Sequence, residues 1–142
     1  MHFDGLCQPV NPGGIACYAF LVREAGRIIH SEYGLAAKPY SKDSTNNVAE
    51  YTALIKALEW LAATKRQSEQ VRIASDSRLV VNQVNGQFKV KSARILHLYR
   101  RAMSLKESFQ DIVISWVPRE QNKEADALTN RAYSEASKVP HN

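Results

Sequence analysis

Over the first 36 residues apolar positions recur with a period near two, and from residue 47 onward the period changes to that of a helix. Strands are therefore expected over residues 1–6, about 15–23 and about 27–36. The second carries Ile15, Tyr18, Phe20 and Val22, and the Glu24-Ala25-Gly26 turn joins it to the third as a hairpin. Asn11-Pro12-Gly13-Gly14 marks the turn before it. From about Asn47 to Lys65, the residues Tyr51, Leu54, Ile55, Leu58, Leu61 and Ala62 fall on one stripe at about 100° per residue, which predicts a long amphipathic helix. Glu50 sits at the edge of that stripe, so it can pack on a sheet while its carboxylate emerges at the rim.

A fourth strand is expected from Val71 to Ser75, ending at Asp76, with a short helix near Leu79 to Val84 that Gly86 stops. The next helix, about Ala93 to Glu107, turns Ile95, Leu98, Tyr99, Ala102 and Leu105 inward and sets Arg94, His97, Arg101 and Ser104 on its other side. Asp111 to Val117 reads as a fifth strand that Pro118 ends, and Asn122 is expected to N-cap a last helix with Ala125, Leu128 and Ala132 in the core. The order βββαβααβα gives an α/β class with a five-stranded mixed sheet flanked by helices. Strands 1–3 should be antiparallel, and strands 1, 4 and 5 parallel through right-handed crossovers. Ligands of such sheets gather beyond the carboxyl ends of the parallel strands, where Asp76 falls and where Asp126 arrives after strand 5.

Length and composition narrow the class further. With 142 residues, the chain is expected to form one catalytic domain over 1–136 with a short polar tail over 137–142. Two cysteines, Cys7 and Cys17, are too few for a disulfide framework and read as buried small side chains. No apolar run approaches the roughly 18 residues of a membrane span, so a cytoplasmic monomer without membrane contact is expected.

The net charge of +5 is unevenly spread. No acid occurs between Ser77 and Lys106, a stretch that holds Arg78, Lys89, Lys91, Arg94, Arg100, Arg101 and Lys106. Such a run suits phosphate neutralisation, and it is equally what a solvated basic face looks like. Asp4, Glu50, Asp76 and Asp126 decide between the two. Each stands where an apolar pattern starts, ends or turns over. Carboxylates gathered from distant segments repel or protonate unless cations neutralise them, so the four together point to bound divalent metal. Acids that hold metal and bases that hold phosphate are complementary halves of a phosphodiester-processing site.

Four motifs carry a resemblance over nearly the whole chain: Phe3-Asp4-Gly5 with Asn11-Pro12-Gly13-Gly14, Ser44-Thr45-Asn46-Asn47-Val48-Ala49-Glu50-Tyr51, Ser75-Asp76-Ser77, and Asn122-Lys123-Glu124-Ala125-Asp126-Ala127-Leu128. In this order and on these elements, the chain resembles type 1 ribonuclease H, in the archaeal-like subgroup without the basic protrusion. The resemblance implies endonucleolytic hydrolysis of the RNA strand of an RNA/DNA hybrid, giving 5′-phosphate and 3′-hydroxyl ends with little sequence specificity. It also admits cleavage of double-stranded RNA. It further implies two Mg2+ ions, with Mn2+ as a substitute. Asp4 would bridge both ions, Glu50 and Asp76 would hold the one near the leaving group, and Asp126 the one carrying the nucleophilic water. Asn46 and Asn47 would touch bases and sugars in the minor groove, Thr45 a DNA phosphate, and the backbone at Gly5, Leu6 and Cys7 the 2′-hydroxyls that distinguish RNA. Ser77 and Asn122 are expected at the substrate as well.

Two departures qualify the resemblance. After Gly86 the chain passes directly through Lys89-Val90-Lys91, so Lys89, Lys91, Arg94 and Arg101 are expected to grip the substrate, with Phe88 as a sugar-stacking surface. In the loop after strand 5, where many relatives have a histidine, this chain has Arg119. An arginine stays charged, so its contribution would be electrostatic rather than proton shuttling. Rival readings are a retroelement-derived ribonuclease H, a proofreading exonuclease and a noncatalytic hybrid- or RNA-binding module. The exonuclease normally carries Asp-x-Glu on its first strand, where this chain reads Asp4-Gly5-Leu6. Pure binding would gain from losing acids near phosphate.

Overall fold

A computed structural model of the chain describes residues 1–138. The strands are β1 (His2–Gln8), β2 (Ile15–Glu24), β3 (Arg27–Leu35), β4 (Gln70–Ser75) and β5 (Asp111–Trp116). The helices are α1 (Asn46–Ala63), α2 (Arg78–Val84), α3 (Ala93–Glu107) and α4 (Lys123–Ser137), with a 3-10 turn over Arg119–Gln121. The sheet order is β3-β2-β1-β4-β5. β1 runs antiparallel to β2, β2 antiparallel to β3, β1 parallel to β4, and β4 parallel to β5. The expected class and topology are those observed. The expected tail falls partly within α4, which runs to Ser137, and residues 139–142 of it lie outside the described residues.

The β2–β3 hairpin closes on the two residues Ala25 and Gly26, both with positive φ, of 52° and 80°. That geometry matches the strand twist, and Gly26 adopts it without steric cost. β1 extends beyond the expected end at residue 6, because Leu6, Cys7 and Gln8 continue the register against Cys17, Ala16 and Ile15.

Period-two alternation sorts the sheet's residues onto two faces. One face supplies Phe3, Phe20, Val22, Val71, Ile73 and Ile114, packed against Tyr51, Leu54 and Leu58 of α1, Val80 and Val84 of α2, and Ile95 and Ala102 of α3. The other supplies Leu6, Ile15 and Cys17, packed against Ala132 of α4. The long helix packs on the central strands closely enough that a Cβ at Gly5 would lie 2.4 Å from the Glu50 amide nitrogen. Only glycine fits there, and its lack of a side chain draws Glu50 down to the strand that bears Asp4.

Candidate active site

Four elements deliver the four acids. Asp4 stands in the middle of β1, Glu50 in the second turn of α1, Asp76 directly after β4, and Asp126 in the first turn of α4. All four line one cleft of about 420 Å³, together with Gly5, Leu6, Asn46, Asn47, Ser77 and Arg119. Gln8, Arg78, Leu79 and Asn130 complete its lining.

The cleft is electrostatically unbalanced. No Lys or Arg forms an ion pair with Asp4, Glu50, Asp76 or Asp126 among the described residues. Asp4 is 8 % exposed, and its carboxyl is pushed up to about 8, first by burial and then by the charges of Asp76 and Asp126. Glu50 is pushed up to about 7 by burial, with Asp76 adding to the rise and a hydrogen bond from Ser77 opposing it. Acids held this far above the ordinary carboxylate range retain protons at neutral pH unless cations replace them. The donor set is all oxygen, which suits a hard divalent cation such as Mg2+ or Mn2+. Among the described residues, no three His, Cys, Asp or Glu side chains form a ready-made ion cage, so the acids surround an open cleft with room for water and phosphate oxygens.

Several expected roles change once side chains are placed. Asn122 begins α4 without capping it: its Nδ2 donates instead to the Phe3 carbonyl at 2.9 Å and to Asp76 Oδ1 at 2.7 Å. At 2 % exposure it lies beneath the cleft wall rather than at a substrate surface, and it ties β1, the end of β4 and α4 together. Ser77 lines the cleft but is already committed, capping α2 through Val80 N and donating to Glu50. Cys7 is buried, its thiol in donating reach of the carbonyls of Val10 and Ser44, so only its backbone remains for the expected contact. Thr45 caps α1 by accepting from Val48 N at 3.0 Å. It also lines a neighbouring hollow with Asn11, Asn47, Ser92 and Arg94.

The basic run divides. Arg94 pairs with Asp43 at 2.9 Å and Arg101 with Glu59 at 3.2 Å, acids from outside the run that the fold brings alongside it. Lys89 and Lys91 are exposed, have no ion-pair partner among the described residues, and do not line the cleft. Phe88 is likewise exposed. Arg119, in the 3-10 turn, borders both the cleft and an adjoining hollow shared with Glu120, Lys123 and Asp126.

Besides Gln8 and Leu79, three residues had no place at the acids in the sequence reading: Asn130, Thr129 buried beneath them, and Arg78, which counted only in the basic run. Arg78 follows Ser77 directly and stacks its guanidinium 4.7 Å from the Trp116 ring centre. Asn130 stands one turn after Asp126 and donates to its carbonyl. Thr129 is completely buried where Leu128 was expected to fill the core, and its hydroxyl reaches Asp4. For Arg78 and Asn130, spacing from a flagged acid was an available signal; for Thr129, a hydroxyl in the inward stripe was the only one.

The sequence profile of the family described as reverse transcriptase-like matches residues 4–132, from Asp4 to Ala132. The bifunctional protein Rv2228c of Mycobacterium tuberculosis is 39% identical over 127 residues, which is 89% of this chain and 33% of that protein. The chain thus spans about a third of the length of that relative. The structure of RNase H1 from the halophilic archaeon Halobacterium salinarum superimposes with a TM-score of 0.81 at 32% identity, covering 94% of this chain and 96% of that one. LC11-RNase H1, solved in complex with an RNA/DNA hybrid, superimposes with a TM-score of 0.83 at 32% identity, covering 95% and 96%. The chain therefore belongs to the reverse transcriptase-like family and, within it, to the type 1 ribonucleases H.

Proposed function

We propose that the cleft hydrolyses the RNA strand of an RNA/DNA hybrid, with divalent cations held by Asp4, Glu50, Asp76 and Asp126. One observation carries the reading: four carboxylates from four elements line one cleft with no basic side chain paired to them among the described residues, and burial keeps Asp4 and Glu50 from ionising freely without a cation. Bound there, Mg2+ would supply an activated water and neutralise charge on the scissile phosphate; Mn2+ suits the same oxygen ligands.

The remaining steps belong to the chain's own residues. Asn46 and Asn47, at the start of α1, offer amide donors and acceptors to a minor groove, and the Gly5–Leu6 backbone beside them offers groups for 2′-hydroxyls. Minor-groove and sugar contacts carry little base information, so cleavage is broad in sequence. Thr45, with Ser92 and Arg94 around its hollow, faces a phosphate of the DNA strand. Arg119 holds phosphate at the Asp126 side through its guanidinium. Lys89 and Lys91 add attraction that is long in range and sensitive to salt. The products carry 5′-phosphate and 3′-hydroxyl ends, as expected when water attacks phosphorus and the 3′-oxygen leaves.

The test is cleavage of end-labelled hybrid, duplex RNA and duplex DNA with Mg2+, with Mn2+ and with chelator. Hybrid should be cut in its RNA strand with either cation, duplex DNA should be untouched, and chelator should stop the reaction. Cutting of duplex RNA would widen the substrate range. Tight hybrid binding without cleavage under any cation would favour a noncatalytic binding module instead.

A further inference from the structure

Besides Asn122 at its start, which donates to Asp76, α4 carries a second side chain that hydrogen-bonds to an acid of the cluster without belonging to it. Thr129 is completely buried. Its Oγ1 lies 3.2 Å from Asp4 Oδ2 and 2.7 Å from the Asp126 carbonyl oxygen. A threonine hydroxyl has a single proton, so it can serve only one of these acceptors at a time. The Asp126 carbonyl also accepts from Asn130 Nδ2 at 2.9 Å and does not depend on Thr129. Asp4 has fewer alternatives. It is buried, it has no ion pair among the described residues, and its other donor is the Gly5 amide.

Core packing alone gives no reason for a hydroxyl here. Ala125 and Ala132 share the inward stripe with Thr129 at helical spacing, and both meet the core with methyl groups. Within that stripe the hydroxyl is the feature that reaches a functional group. In a helix threonine divides between two χ1 rotamers, and the one taken here sets Oγ1 on the Asp126 carbonyl and within reach of Asp4.

We propose that Thr129 is a positioning residue of the site: its hydroxyl holds Oδ2 of Asp4 against α4 and so fixes the carboxylate's rotation on β1, leaving the remainder of the group to meet a divalent cation in the cleft. The proposal rests on the reading of Asp4 as a cation ligand. Thr129 lies one turn from Asp126, so α4 then sets two acids at once, one that it bears and one on a strand 125 residues away in sequence. Partners that orient a metal ligand typically change cation affinity by about 10–100-fold when removed, and an uncharged hydroxyl falls at the low end of that range.

The experiment compares Thr129→Val, Thr129→Ala and Thr129→Ser with the parent chain and with Asp4→Asn. Mn2+ affinity is read from the free-ion EPR signal without nucleic acid, and kcat and KM are measured separately on hybrid. Val and Ala should weaken Mn2+ binding by about tenfold and lower kcat with little change in KM, while Ser should restore both. Ala removes bulk and Val preserves it, so agreement between them separates the hydroxyl from packing. Equal Mn2+ affinity in all three variants and the parent overturns the proposal, and so does a Ser variant as weak as Ala, because the methyl group would then be what matters. If Asp4→Asn itself binds Mn2+ and cleaves like the parent, the reading of the cleft fails, a result distinct from Thr129 variants that behave like the parent while Asp4→Asn is inert.

Discussion

Asp4, Glu50 and Asp76 stand on elements whose neighbours are buried: Phe3 beside Asp4, Ala49 and Tyr51 around Glu50, Ser75 and Ser77 around Asp76. Lys89 and Lys91 stand on the exposed segment between α2 and α3, which touches the core chiefly through Val90 and through the Lys89 carbonyl, which accepts from Nε2 of buried Gln83 at 3.3 Å. The acids are placed by packing and the lysines by tethering. Packing fixes a group to a fraction of an ångström, as ligand chemistry demands, whereas attraction to a phosphate backbone acts over about a Debye length and tolerates motion. The two regions should therefore respond to mutation in different kinetic terms.

The largest effect is expected at Asp76. Asp76→Asn removes one charge from the cluster while preserving shape, and the partner amide of Asn122 keeps an oxygen to donate to. Turnover on hybrid should fall by about three orders of magnitude, in line with the loss of charge stabilisation at a reacting centre, while KM changes little. A variant retaining more than a tenth of the parent's kcat would remove Asp76 from the ligand set and break the contrast at its strong end.

The second effect belongs to the tethered region. Lys89→Glu with Lys91→Glu should raise KM for hybrid by about tenfold at low salt, leave kcat nearly unchanged, and flatten the dependence of log KM on log salt by about one to two. Unchanged KM and salt dependence would show that the two lysines form only a solvated face. Arg94 and Arg101 are weaker candidates than their position in an acid-free run suggested, because Asp43 and Glu59 already pair with them.

That difference also marks where the sequence was readable. Period-two and helical spacing located the five strands and α1 to α3 to within about two residues and the start of α4, but not the 3-10 turn at Arg119–Gln121, and the acids were conspicuous because each interrupted an apolar pattern. What the sequence hid were relations across the fold. Asp43 and Glu59 lie outside the Ser77–Lys106 run, and only the placing of α1 and of the loop before it beside α3 shows that they neutralise part of it. Asn122 looked like a cap because it stands just before a helical pattern, and like a substrate contact through the resemblance, yet its amide turns inward to β1 and Asp76. Leu128 was the hydrophobic choice for the core, but the helix rotates Thr129 inward and leaves Leu128 half-buried. In each case the deciding partner is tens of residues or more away in sequence, beyond the reach of periodicity.

The smallest effect is thermodynamic, and it asks whether the acids are strained in the absence of metal. The Asp4 carboxyl is raised to about 8 and that of Glu50 to about 7. Between the ordinary carboxylate range, near 4, and those values, the folded chain holds protons that the unfolded chain has released. These two groups therefore contribute stability that is fully present below about pH 4 and is lost as pH rises through 7 towards 8. With chelator present, the thermal midpoint should fall by several degrees between pH 5.5 and pH 8, and saturating Mg2+ should remove most of that fall by replacing protons with cations. Asp4→Asn cannot titrate, so its midpoint should vary less with pH than the parent's. If it varies as steeply, the slope arises outside the cluster. If Mg2+ leaves the parent's midpoint at pH 8 unchanged, the buried acids are not where the cation binds, and the division between packed acids and tethered bases loses its physical basis.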